Sequence, residues 1–215
     1  MITTNAQKIG DWLTKLGELP DLPNVHNLYT TRTAAGRIRL ANLRRYFELM
    51  LAQDPTAILI GEAPGYQGSY RTGVPFGSEA IMLGPVNQWG LFGGAANGFE
   101  RALRDDRVWR EPTATVVQRT FDELSIPVLA WATFPLHPYQ PGNELSNRAP
   151  TRAEIKLGAD VLCELTEALE PERVIAMGNV AAATLAVLGV PAEKVRHPSH
   201  GGAVQFREQL LALLQ

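Results

Sequence analysis

The chain has 215 residues, 45% of them hydrophobic and 20% charged, with a formal net charge of −2. That length fits one domain with a sizeable core, the composition is that of an ordinary globular protein, and no apolar run approaches the roughly 20 residues that span a bilayer. The single cysteine, Cys163, excludes an internal disulfide and any multi-cysteine zinc or iron–sulfur site. The N-terminus lacks the charged start and apolar centre of a signal peptide, so a cytoplasmic location is expected.

Arginine outnumbers lysine and clusters at Arg32, Arg37, Arg39, Arg44 and Arg45, then at Arg101, Arg104, Arg107 and Arg110. Guanidinium forks suit phosphate, although solvated helix faces are the plainer account of such clusters. Residues 35–53 carry apolar side chains at Ile38, Leu40, Leu43, Phe47, Leu49 and Met50. That period predicts a helix with its arginines on the outer face, ending before Asp54-Pro55. TAILIG follows as a buried strand, and the glycine- and proline-rich stretch to Ser78 as a loop ordered by turns.

Short helices are expected from Ser78 and from Asn97, and a longer one over residues 113–125. IPVLAWATF (126–134) is the second apolar, β-favouring run. The proline-rich segment 135–150 has no periodicity, and loops of that length in compact domains are often functional. Thr151 with Glu154 three residues on forms a capping box for a helix reaching about Glu170. ERVIAMG reads as a third strand, NVAAATLAVLG as a helix closed by Gly189, EKVRHPS as a short fourth strand, and GAVQFREQLLALL as a terminal helix.

This alternation predicts an α/β domain with a mostly parallel sheet flanked on both faces. One domain over residues 1–215 is expected, with residues 1–54 an N-terminal helical extension. Ligands of such sheets sit beyond the carboxyl ends of the strands. Three polar segments fall there: 61–78, 135–150 and 197–202.

GEAPGYQG after the first strand is neither a P-loop, lacking the GK[ST] ending, nor a GxGxxG turn. Glu62 would repel a phosphate, but a carboxylate beside a rigid Pro-Gly turn can orient a water or stabilise a developing cation. Phe76 offers a flat face for a base. Taken singly, Glu62 as a turn residue and Phe76 as core are ordinary explanations. In RHPSHGG, His197 is either a donor to a leaving group or, with His137, His200 and Glu62, part of a mixed metal site without a recognised spacing.

GEAPG, then GVPFGSE, then a proline-rich segment ending NRAPT, then GNVAAATL and HPSHGG, resemble in order and spacing the uracil-DNA glycosylase superfamily, in particular its GEAPG-type branch. The resemblance runs from about Ala57 to the C-terminus. It implies a three-layer α/β/α sandwich around a four-stranded sheet, and a monofunctional DNA glycosylase acting on uracil or another deaminated base. A non-catalytic binder of nucleic acid or nucleobase on the same fold is the alternative. Carried over, Glu62 serves the hydrolytic water and His197 donates to O2 of the leaving base. Ala63, Pro64, Gly65 and Tyr66 hold the base and Phe76 stacks on it, while Ser199, His200 and Gly201 grip DNA phosphates. No metal or cofactor is implied. The expected partner is DNA with a damaged base, single-stranded or mispaired, met by a monomer that does not associate with membranes.

Four positions depart from the pattern. The asparagine that related enzymes use to read the base falls at Ala132, with Thr133, Asn143 or Asn147 as substitutes. The branch's iron–sulfur cysteines are absent, the HPS loop continues without a large apolar wedge, and the aspartate of some branches is Ala63.

Overall fold

The computed structural model describes residues 5–215; the first four residues of the N-terminal segment lie outside the described residues. In chain order, the first half holds α1 (Asn5–Gly17), β1 (Val25–His26), α2 (Ala34–Leu51), β2 (Ala57–Gly61), α3 (Ser69–Thr72) and α4 (Glu79–Met82). A 3₁₀ turn (Gly94–Asn97), α5 (Pro112–Phe121), β3 (Val128–Ala132), β4 (His137–Pro138) and α6 (Arg152–Leu169) follow. β5 (Arg173–Met177), α7 (Gly178–Val187), β6 (Glu193–Val195) and α8 (Ala203–Leu214) complete the chain.

The strand sequences explain the sheet. Side chains alternate faces along a strand, and here both faces are apolar, the signature of a parallel sheet covered on two sides. Ile58 and Ile60 share one core with Leu129, Trp131 and Ala176, while Ala57 and Leu59 share another with Val128, Ala130 and Ile175. α1, α2, α6 and α7 close the first core; α5 and α8 close the second. The larger sheet is four-stranded and wholly parallel, in the order β3-β2-β5-β6. The three-layer α/β/α sandwich is therefore present.

Residues ahead of β2 belong to the first core. Trp12, Leu13, Leu16 and Tyr29 are buried there, and Trp12 meets Trp131 edge-on with ring centroids 4.8 Å apart. Each fully buried side chain of this size contributes about 1.5–3 kcal/mol. β1 pairs antiparallel with β4, which ties the segment 135–150 to the N-terminal region.

Thr151 and Glu154 form the expected capping box; α5, expected from residue 113, starts at Pro112 with Glu111 as its cap, accepting from the Thr113 and Ala114 amides. Three expectations fail. Arg39 is on the inner face of α2, only 1% exposed, with its guanidinium 4.9 Å from the Tyr70 ring centroid. No helix starts at Asn97: the 3₁₀ turn ends there, Gly98 is left-handed (φ 84°), and residues 99–111 are irregular. The fourth strand stops at Val195, leaving RHPS in a loop.

Candidate functional site

β2 delivers Gly61 and Glu62 to the carboxyl edge of the sheet, and the chain then turns through Ala63-Pro64-Gly65. Together with the ends of β3 and β5 and the loop after β6, this turn encloses a cavity of about 410 Å³. That size is typical of a small-molecule site. Glu62, Ala63, Pro64, Gly65, Phe76, Ala132 and His197 all line it. Three loops distant in sequence thus meet, as the convergence of segments 61–78, 135–150 and 197–202 requires.

Glu62 is half-buried, and its backbone is held: its carbonyl accepts from the Phe134 amide (3.0 Å) and the Thr133 hydroxyl (2.9 Å). Its carboxylate makes no hydrogen bond among the described residues, and burial raises its pKa above the ordinary carboxylate value. The Ala63 and Gly65 amides are also without partners among the described residues. The turn therefore brings two unbonded amides and one proton-accepting group to residues of the cavity wall.

Phe76 sits in the left-handed region (φ 46°), a conformation that costs a non-glycine residue of order 1–3 kcal/mol and is retained mostly at functional sites. Its carbonyl accepts from Gln118 (3.2 Å), and its ring lies on Gly61, where an added Cβ would stand 2.7 Å from Cζ. Only glycine at 61 leaves room for that ring. Ala132 is registered opposite Gly61, so it shares the sheet face on which Phe76 lies.

His197 is half-buried at the start of the loop after β6. The Ser199 amide donates to its Nδ1 (3.0 Å), so the neutral ring carries its proton on Nε2. Burial first, then the charges of Arg196 and His200, lower its pKa. A Cβ on Gly202 would stand 2.2 Å from the His197 carbonyl oxygen, so the loop closes on itself through glycine. His200 and Gly201 are exposed and Ser199 half-exposed; none of the three lines the cavity.

Two sequence expectations do not reach the cavity. Tyr66 is outside its wall; its amide donates to Asn147 Oδ1 (3.0 Å) and its ring meets Trp109 edge-on at 6.0 Å. His137 is fully buried, with Nδ1 2.8 Å from the Pro64 carbonyl and Nε2 3.1 Å from that of Glu144, so it does not join His197. Among the described residues no three His, Cys, Asp or Glu side chains group as metal ligands.

Of the three substitutes for a base-reading asparagine, Thr133 is buried with its hydroxyl on the Glu62 carbonyl, and Asn143 is exposed and accepts from the Leu145 amide. Asn147 alone lines the cavity, and its amide nitrogen makes no hydrogen bond among the described residues. Sequence reasoning missed Tyr29, Glu111, Trp131 and Arg148, which also line the cavity. Arg148 bonds Glu154 twice at 2.7 Å and reaches the Tyr139, Ala149 and Asn24 carbonyls, so it fastens the segment 135–150. The Glu111-Pro112 helix start was a legible signal; nothing local in the sequence points to the others.

No helix among the described residues is long and apolar enough to cross a membrane. The fold is similar to the crystal structure of wild-type Pedobacter heparinus SMUG2, with a TM-score of 0.68 at 11% identity, covering 99% of this chain and 97% of that one. No curated protein matches the sequence. The model of the uracil DNA glycosylase superfamily matches residues 50–213. That span takes in β2, Glu62, Phe76 and His197, and the chain belongs to the uracil DNA glycosylase superfamily.

Proposed function

We propose that the chain is a monofunctional DNA glycosylase that hydrolyses the N-glycosidic bond of uracil or another deaminated base in DNA. One observation carries this reading: a carboxylate without a hydrogen bond among the described residues and a histidine holding its proton on Nε2 line the same cavity, beside the Phe76 ring.

Breaking the bond leaves positive charge on the sugar and negative charge on the base. Glu62 in its ionised form stabilises the first and accepts a proton from the attacking water. The Nε2–H of His197 donates to the base oxygen as its negative charge grows. The base must leave the stack to reach these groups, and Phe76 with the Ala63 and Gly65 amides receives it. His197 acts as a neutral donor, consistent with its lowered pKa.

The test is a cleavage assay on labelled oligonucleotides carrying uracil, hypoxanthine or xanthine, single-stranded and mispaired, run with a chelator and developed with alkali. Breaks at one base, lost in Glu62→Gln, support the reading and name the base. A second reading is a non-catalytic binder of nucleic acid or free base, favoured by Ala132, which offers the cavity no polar side chain. Binding to the same oligonucleotides with no break at any base would select it.

A further inference from the structure

Residues 98–111 have no regular secondary structure, yet a buried carboxylate fixes them. Glu79 is 0% exposed and accepts from Arg101 Nε (3.2 Å) and Nη2 (3.3 Å) and from the Trp109 amide (3.0 Å). It also pairs with Arg71 at 3.5 Å. Arg101 Nη2 donates onward to the Asp105 and Arg107 carbonyls at 3.3 and 2.9 Å. Asp105 accepts from Arg71 and from the Trp109 indole, which together hold its carboxyl below the usual range. The Trp109 carbonyl accepts from Ala80 (2.9 Å).

These bonds occupy Arg101 and Asp105, and Glu111 is occupied in capping α5. Arg104, Arg107 and Arg110 remain, all exposed and without a carboxylate partner among the described residues, against two carboxylates likewise unpaired, Glu100 and Asp106. Arg107 lies with its guanidinium 3.6 Å from the Trp109 ring centroid. The position of this basic edge is fixed too. Trp109 touches Tyr66 of the loop after β2, and Glu111 and Thr113 line the cavity. By contrast, the loop 199–201 beside His197 carries no lysine or arginine.

We infer that Arg104, Arg107 and Arg110 bind the phosphates of the DNA strand whose base enters the cavity. This rests on the glycosylase reading. A strand with one base turned inward needs its backbone gripped on the flanking nucleotides. Guanidinium forks on a backbone already held by Glu79 lose little freedom in doing so.

The test compares wild type, Arg104→Ala/Arg110→Ala and Arg173→Ala for binding to a single-stranded oligonucleotide with a reduced abasic site, from about 50 to 300 mM salt. Arg173 lies at the opposite end of the sheet, so it serves as the control. The double variant should lose about tenfold or more in affinity at the lowest salt, and its log–log salt slope should shrink by about 1.4, two phosphates' worth on a single strand. Arg173→Ala should match wild type. A double variant that matches wild type, or a wild type insensitive to salt, overturns the phosphate assignment and leaves the glycosylase reading standing if uracil is still cleaved. A wild type that neither binds nor cleaves overturns both.

Discussion

Glu62 and Glu79 lie 17 residues apart on the same stretch of chain, and they differ in one respect that decides their roles. Glu79 is sealed from solvent and saturated, with Arg71, Arg101 and the Trp109 amide around its carboxylate. Glu62 is half-buried, and nothing among the described residues bonds its carboxylate. The histidines repeat the contrast: His137 has a carbonyl at each ring nitrogen, whereas among the described residues only one nitrogen of His197 has a partner. Glu79 and His137, enclosed by partners, hold loops in place, whereas Glu62 and His197 line the cavity, where a substrate would supply a partner.

The sharpest way to break this comparison is Glu79→Gln, which removes the buried charge partner of Arg71, 2% exposed, and leaves it only the more exposed Asp105. Removing one member of a buried pair costs up to about 3–5 kcal/mol, less here by what Asp105 still supplies, read as a lower midpoint in urea unfolding. A loss under about 1 kcal/mol, the range of exposed pairs, would show that the Glu79 cluster is not a structural anchor. His197→Ala should slow single-turnover cleavage about 10²–10³-fold, the usual cost of losing a donor to a developing anion, with the urea midpoint nearly unchanged. Ala132→Asn, placed beside Phe76 on one sheet face, should raise the rate on uracil about tenfold, since a bidentate amide contact is worth about 1–3 kcal/mol of base discrimination. No gain would mean that Asn147 or the free amides already read the base.

The smallest effect concerns stability against pH. Burial raises the pKa of Glu62, so the folded state holds its proton to higher pH than the unfolded state does. Stability therefore falls as pH rises from the ordinary carboxylate value through the raised one, and the penalty persists at neutral pH. Glu62→Gln keeps the shape and removes the charge, so it should melt slightly higher than wild type at pH 7, with the difference vanishing in acid.

Much of the frame was legible because it rests on local patterns. Apolar runs bounded by glycine and proline placed β2, β3 and β5, and the Thr151–Glu154 box placed α6. Glu62, Phe76 and His197 were legible from motif order, and one cavity gathers them. What was not legible depends on tertiary partners. Arg39 is buried against Tyr70, a contact that no helical period reveals. Residues 97–106 read as a helix from sequence, but Glu79 draws Arg101 and the Trp109 amide inward instead. The position of Tyr66 follows from Trp109, more than 40 residues later.

The most direct test of the central claim takes Glu62→Gln and Glu79→Gln together, measuring single-turnover cleavage of a uracil oligonucleotide and thermal melting on the same preparations. Glu62→Gln should lose about 10²–10⁴ in rate while melting at or above wild type, and Glu79→Gln should melt well below wild type. If Glu62→Gln cleaves at the wild-type rate, or loses rate only because it unfolds, the unpartnered carboxylate is not the group that does the chemistry.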